Sequence, residues 1–160
     1  AWASIPKLIS VPINSVPEFI AHAKKADPPL SYVSVGAGGF QHITMEFAKQ
    51  RFGFEANHVP YRNTGQSVAD LIAGHVATGF VEAGASIPAI KDGKLRALAL
   101  AGANRSALLP DLPTVAESGL PGYAADNWYA MMVPRGTPRA IANRLNQEVL
   151  VLVTLQHLLL

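Results

Sequence analysis

The sequence predicts an α/β fold with a mostly parallel sheet and helices on both faces, and three observations carry that expectation. Short apolar or β-branched runs alternate with amphipathic helical patterns from residue 15 to residue 102, and strands separated by helices need right-handed crossovers that cover both faces of a sheet. Several helical runs carry their own start and stop signals. The stretch YVSVGAGGFQHI, residues 32–43, leads a strand through a glycine turn into a helical pattern, and folds of this type bind ligands where strand ends open into such turns.

Taken in order, Ser15 and Glu18 make an S-x-x-E capping box. Phe19, Ile20 and Ala23 then give one apolar stripe to a helix that Asp27, Pro28 and Pro29 must end. Residues 32–35 are a strand, and Phe40, Ile43 and Phe47, with Met45 and Ala48 beside them, mark a helix stopped at Gly53. NHVPY, residues 57–61, is a short strand. TGQSVADLIAGH, residues 64–75, is a helix with Val68, Leu71 and Ile72 inward and Gly74 as its stop. VATGFV, residues 76–81, is a strand, SIPAIKDG, residues 86–93, is one or two helical turns with Pro88 near the start and Gly93 at the end, and LRALALAG, residues 95–102, is a buried strand.

Beyond Gly102 a proline-rich run reads as an ordered connecting segment, in which Thr114 and Glu117 cap a single short helix ended by Gly119. YAMMVP, residues 129–134, follows as a strand. GTPRAIANRLNQEV, residues 136–149, is a helix with Thr137 as N-cap, Pro138 in the first turn, and Ile141, Leu145 and Val149 on one face.

Composition bounds the function. The chain has 160 residues, 49% hydrophobic and 15% charged, which suits one buried core. Its 13 basic and 11 acidic residues are spread along the chain, so no basic stripe argues for nucleic acid or a membrane surface, and a small partner is expected. The absence of cysteine removes disulfides, thiolate metal sites and cysteine nucleophiles, and suits the periplasm and the cytosol equally. AWASIPKLISVPIN, residues 1–14, reads as neither a signal peptide nor a membrane span, so any export signal is expected to have been removed. In residues 149–160 nine of twelve side chains are aliphatic and none is charged, a stretch too short to span a bilayer and too apolar to lie free in water.

The glycine turn is the strongest local signal. A strand, glycine loop and helix in that order leave backbone N–H groups unpaired at a helix N-terminus, where the dipole favours an anion. A plainer reading is also open, in which Gly36, Gly38 and Gly39 only supply positive φ and tight packing. The turn is not a dinucleotide fingerprint, because Gln41 stands where the third glycine belongs, and it lacks a P-loop lysine. His42 and Glu46 are four apart and could ligate a metal, but no third ligand stands at a recognisable spacing, so no metal and no cofactor are expected. His58 and His75 read as hydrogen-bonded structural histidines. No nucleophile elbow, serine–lysine pair or carboxylate dyad occurs, so no catalytic residue is assigned. Tyr61, Arg62 and Asn63 follow a strand directly and could line the crevice, and Trp128 and Tyr129 form either a ligand wall or core.

YVSVGAGGFQHITMEFAKQRFG, HVPYRNTGQSVADLIAGHV, IKDGKLRALALAGANRSALLPDLPTVAESGLPGY and NWYAMMVPRGTP together resemble the substrate-binding proteins of tripartite tricarboxylate transporters, the Bug-type receptors. The resemblance implies a lobe of a type II periplasmic binding protein, with no catalysis. In such a receptor two lobes close on a small carboxylate (a di- or tricarboxylate, an aromatic acid or an acidic amino acid) and pass it to the membrane subunits of the transporter, without nucleic acid or insertion into the membrane. It divides the chain into a hinge-crossing segment from a first lobe (residues 1–14), a second ligand-binding lobe (15–125), a returning strand and helix (126–148) and an atypical apolar tail (149–160). By the same resemblance the ligand turn is Gly36, Ala37, Gly38, Gly39, Phe40, Gln41 and His42, with Tyr61 from the VPY turn beside it. Where the family usually has a hydroxyl residue this chain has Gly39, and where it has small residues this chain has Phe40 and Gln41. Acids are usual at Ala77 and often found at Val81, and a glycine is usual at Asn63, where asparagine would tolerate a left-handed backbone. Two other readings follow from the same residues: an α/β enzyme acting on a small anion through the turn, His42 and Glu46, and a non-functional fragment.

Overall fold

The computed structural model describes residues 2–4, 13–127 and 130–158. Local chemistry sets the helix ends. Ser15 is the extended N-cap of α1 (Val16–Ala23), and its hydroxyl accepts the Glu18 N–H at 3.4 Å. The Glu18 carboxylate reaches back to the Asn14 N–H at 2.7 Å, one residue before the cap itself. After α2 (Phe40–Phe52) Gly53 takes the left-handed conformation at φ 68°, and Gly74 does the same after α3 (Thr64–Ala73) at φ 84°.

Five strands form one sheet in the order β3-β2-β4-β1-β5: β1 (Trp2–Ser4), β2 (Leu30–Ser34), β3 (Ala56–Pro60), β4 (Thr78–Phe80) and β5 (Arg96–Ala99). β2 pairs in parallel with β3 and β4, whereas β1 runs antiparallel to both β4 and β5. Four strands therefore point one way. β1 lies against them in the interior of the sheet, although no pattern in the sequence marks it as a strand.

The alternation of side chains along β2 divides the core. Tyr32 belongs to a cluster with Val16, Phe19, Met45 and Phe80, and Val33 belongs to another with Val68, Leu71, Val81 and Ala89. α1 and α2 thus cover one face, and α3 and α4 (Ala83–Lys91) the other. Gly79 lets β2 and β4 close: a Cβ there would collide with Val33 Cγ2 and sit 3.3 Å from the Val33 carbonyl.

Several expectations are corrected. On α2 the buried residues are Gln41, Thr44, Met45 and Ala48, while Ile43 is 59% and Phe47 44% exposed. Two stripes compete on this helix. The partly polar one faces the sheet because Gln41 Oε1 accepts the Val35 N–H at 2.8 Å and Thr44 Oγ1 donates to the Phe40 carbonyl at 2.7 Å. On α3 Ser67 takes the inward place expected of Ile72, and its hydroxyl donates to the Thr64 carbonyl. α4 begins at Ala83, earlier than expected, so Pro88 lies inside it.

The connecting segment is ordered by its own bonds. Leu100 and residues 113–115 exchange hydrogen bonds beside β5, with Leu100 N–H to the Pro113 carbonyl and Val115 N–H to the Leu100 carbonyl, both at 2.8 Å. Thr114 and Glu117 cap one another, and Arg105 Nε holds the Glu117 carboxylate at 3.0 Å. The expected helix there is only a turn, because Gly119 at φ 116° follows at once.

Contacts divide the chain into two compact units, Ala1–Asp126 and Asn127–Leu160. In the second unit residues 130–134 form no strand, contrary to expectation, since among the described residues that unit offers them no partner strand. α5 (Arg139–Leu158) starts after Thr137, with the Ile141 and Ala142 N–H groups donating to the Pro138 carbonyl at 2.9 and 3.2 Å. Its expected inward residues Ile141 and Leu145 are exposed. Among the described residues no helix is long and apolar enough to cross a membrane. Trp128 and Tyr129 lie outside the described residues.

Candidate anion site at the glycine turn

The sheet order creates a switch point. From β2 the chain turns through residues 35–39 into α2 on one face and on to β3, whereas from β4 it turns into α4 on the other face and on to β5. Connections that leave adjacent strands in opposite directions open a crevice at the carboxyl ends of those strands, between β2 and β4 here.

The glycines shape the first of these turns. Gly36 and Gly38 have φ of 98° and 76°, which side-chain-bearing residues rarely adopt. Gly39 is the extended N-cap of α2 and has no side chain with which to cap it. The N–H groups of Phe40, Gln41 and His42 consequently have no acceptor among the described residues, the first intrahelical bond being Ile43 N–H to the Gly39 carbonyl at 3.0 Å. Three donors at the positive end of a thirteen-residue helix can hold a carboxylate or another small anion.

Side chains fix this backbone from behind. Buried Gln41 reaches the Val35 N–H, and His42 Nδ1 accepts the Gly38 N–H at 3.1 Å. Tyr32 donates from its hydroxyl to Glu46 at 2.6 Å, and Lys49 contacts both Glu46 oxygens at 2.8 and 3.1 Å. Burial pushes the Tyr32 phenol well above its ordinary value, and Glu46 adds to that. Burial works to raise Glu46, but the hydrogen bonds from Lys49 and Tyr32 and the nearby charges leave it below the usual carboxylate range.

The residues named from the sequence thus separate into two kinds. Residues 36–42 form one continuous turn, with Ala37 and Gly38 exposed and Gln41 buried. Tyr61 is joined to the end of β2, ahead of that turn, through its backbone, N–H to the Ser34 carbonyl at 2.8 Å, but its hydroxyl donates to Asp70 on α3 at 2.8 Å. Burial, followed by Asp70, pushes that phenol up to about 12, so it serves as a neutral structural donor. Asn63 is extended, with φ −152°, and caps α3 by accepting the Gln66 N–H, so a left-handed backbone is not what it supplies. Ala77 donates to the Ser31 carbonyl at the opposite end of the sheet, so the missing acid there does not touch the turn.

Two features escaped the sequence. His58 lies opposite Tyr32 in the β2–β3 register and packs on His42, which no local spacing reveals. The β4–α4 junction at Val81 and Glu82 flanks the switch point, which only the strand order discloses. Among the described residues no three His, Cys, Asp or Glu side chains converge as a metal site.

Comparison with known proteins places this chain in a family. The model of the tripartite tricarboxylate transporter family receptor matches residues 7–154. A structure of R. palustris Rpa4515 with adipate is 34% identical with a TM-score of 0.85, over 91% of this chain and 48% of that one. MatC from Rhodopseudomonas palustris with bound malate is 26% identical with a TM-score of 0.83, over 91% and 49%. The periplasmic binding protein BugD is 27% identical with a TM-score of 0.82, over 90% and 47%. Curated relatives that are 33–34% identical are matched over only 41–45% of their own length, so the chain spans less than half of them. With its family match covering nearly all of the chain, the protein belongs to the tripartite tricarboxylate transporter receptor family.

Proposed function

We propose that the chain is the second lobe of a periplasmic receptor that captures a small carboxylate and delivers it to the membrane subunits of a tripartite tricarboxylate-type transporter. The observation that carries the reading is the set of free N–H groups of Phe40, Gln41 and His42 at the switch point of the sheet. Adipate and malate in related structures support a carboxylate as the anion, and the periplasmic BugD supports the compartment. In this reading residues 15–125 hold the ligand, while residues 1–14 and 126–148 connect to a first lobe that closes over it. In this reading the turn binds without doing chemistry, and Glu46 is occupied by Tyr32 and Lys49.

Isothermal titration of a receptor carrying this lobe and a first lobe tests the reading. The panel is di- and tricarboxylates, aromatic acids and acidic amino acids. At least one acid should bind and be recovered unchanged by chromatography. Silence across the panel, or a transformed ligand, would overturn the proposal.

A further inference from the structure

Two imidazoles meet beside the glycine turn. His42 on α2 and His58 on β3 pack with ring centroids 4.2 Å apart and planes tilted by 33°, and each is tied to the turn by hydrogen bonds. Gly38 N–H donates to His42 Nδ1 at 3.1 Å, which requires that nitrogen to be bare. Ser34 has a single hydroxyl hydrogen and donates it to the Gly36 carbonyl at 3.1 Å. With that hydrogen on Gly36, the bond between Ser34 Oγ and His58 Nε2 takes its hydrogen from the Nε2–H tautomer of His58. These bonds suit the neutral Nε2–H tautomer in both rings. One ring holds Gly38 directly, and the other holds Gly36 through Ser34.

We infer that the His42–His58 pair is a pH-sensitive latch on the turn, with His42 as its positioning residue. While His42 is neutral its Nδ1 keeps Gly38 in place. A proton on Nδ1 turns the acceptor into a second donor facing the Gly38 N–H, and the turn is released. This inference rests on the reading of the turn as a carboxylate site.

The groups facing His42 come from three elements. Tyr32 on β2 stacks at 6.3 Å, His58 packs at a tilt from β3, and Glu46 follows on α2 with Lys49 beyond it. Glu46 is itself engaged by Tyr32 and Lys49. Burial, then His42, holds His58 below its ordinary value of 6.5, despite an opposing pull from Glu46. The unfolded chain therefore takes up this proton first as pH falls, and the stability His58 contributes, present above its unfolded value, declines as the pH drops from there toward its folded value.

The test compares the wild-type receptor with His42→Asn, whose Oδ1 can accept from Gly38 at any pH. Binding of the tightest carboxylate from the panel is titrated at about pH 7.5 and about pH 5.5, a range that brackets an ordinary histidine. Loss of one backbone hydrogen bond predicts that the wild type weakens about fivefold to tenfold more than the variant on acidification. The variant also cancels any protonation of the ligand itself, whatever its affinity at neutral pH. In the ligand-free receptor, the Gly38 amide resonance should move in step with the His42 ring. Parallel weakening of wild type and variant, or a Gly38 resonance indifferent to His42, would overturn the latch while leaving carboxylate binding intact. If no carboxylate binds, the reading of the site fails, and the ligand-free titration alone decides the latch.

Discussion

Truncating Phe19 to alanine should cost the chain about 3–5 kcal/mol, the range for removing a fully buried phenyl ring from a core. Phe19 is completely buried and meets Phe54 edge-on, with centroids 5.7 Å apart and rings 89° from coplanar. α1 has only eight residues, too few to persist as an isolated helix, so it depends on what Val16, Phe19 and Ala23 bury beneath it. Phe19 is the largest of these. Domains are stable by only about 5–15 kcal/mol in total, so the loss should move the urea midpoint far down or leave the chain partly unfolded in buffer. A loss below about 1 kcal/mol would mean that α1 is not part of the core.

Phe40→Pro should weaken carboxylate binding about tenfold to a hundredfold relative to Phe40→Ala, the range for losing a hydrogen bond to a charged group. Both variants remove the phenyl ring, so the comparison isolates one N–H. Proline suits the first position of a helix, where its missing N–H costs no intrahelical bond. The residue before it must be extended, as Gly39 already is with ψ 166°. α2 should therefore keep its circular dichroism in both variants while titration calorimetry separates them. Equal affinities would show that the Phe40 N–H does not touch the ligand.

What the sequence made legible was local. Ser15, Gly53 and Gly74 act through neighbours in the chain, and each stands in the structure where its chemistry put it. The strand, glycine turn and helix around residues 36–42 could be read for the same reason. The exposed Ile43 and Phe47 could not, because α2 carries two overlapping stripes, and the choice rests on Gln41 finding the Val35 N–H and Thr44 finding the Phe40 carbonyl. Phe47 instead lies against the Tyr123 ring, 5.4 Å away between centroids. Non-local pairing hid the rest. The place of β1 between β4 and β5, and of His58 opposite Tyr32, depends on register between strands distant in sequence. Gln41 shows how a departure from a family pattern can be read only in three dimensions, since the side chain standing where small residues are usual fastens the turn from behind.

The central claim is that backbone donors at the start of α2 hold the ligand. A crystal structure of the two-lobed receptor with its tightest carboxylate tests it most directly. The account predicts carboxylate oxygens about 2.7–3.1 Å from at least two of the Phe40, Gln41 and His42 nitrogens. A carboxylate bound elsewhere, with those three N–H groups facing only water, would contradict it.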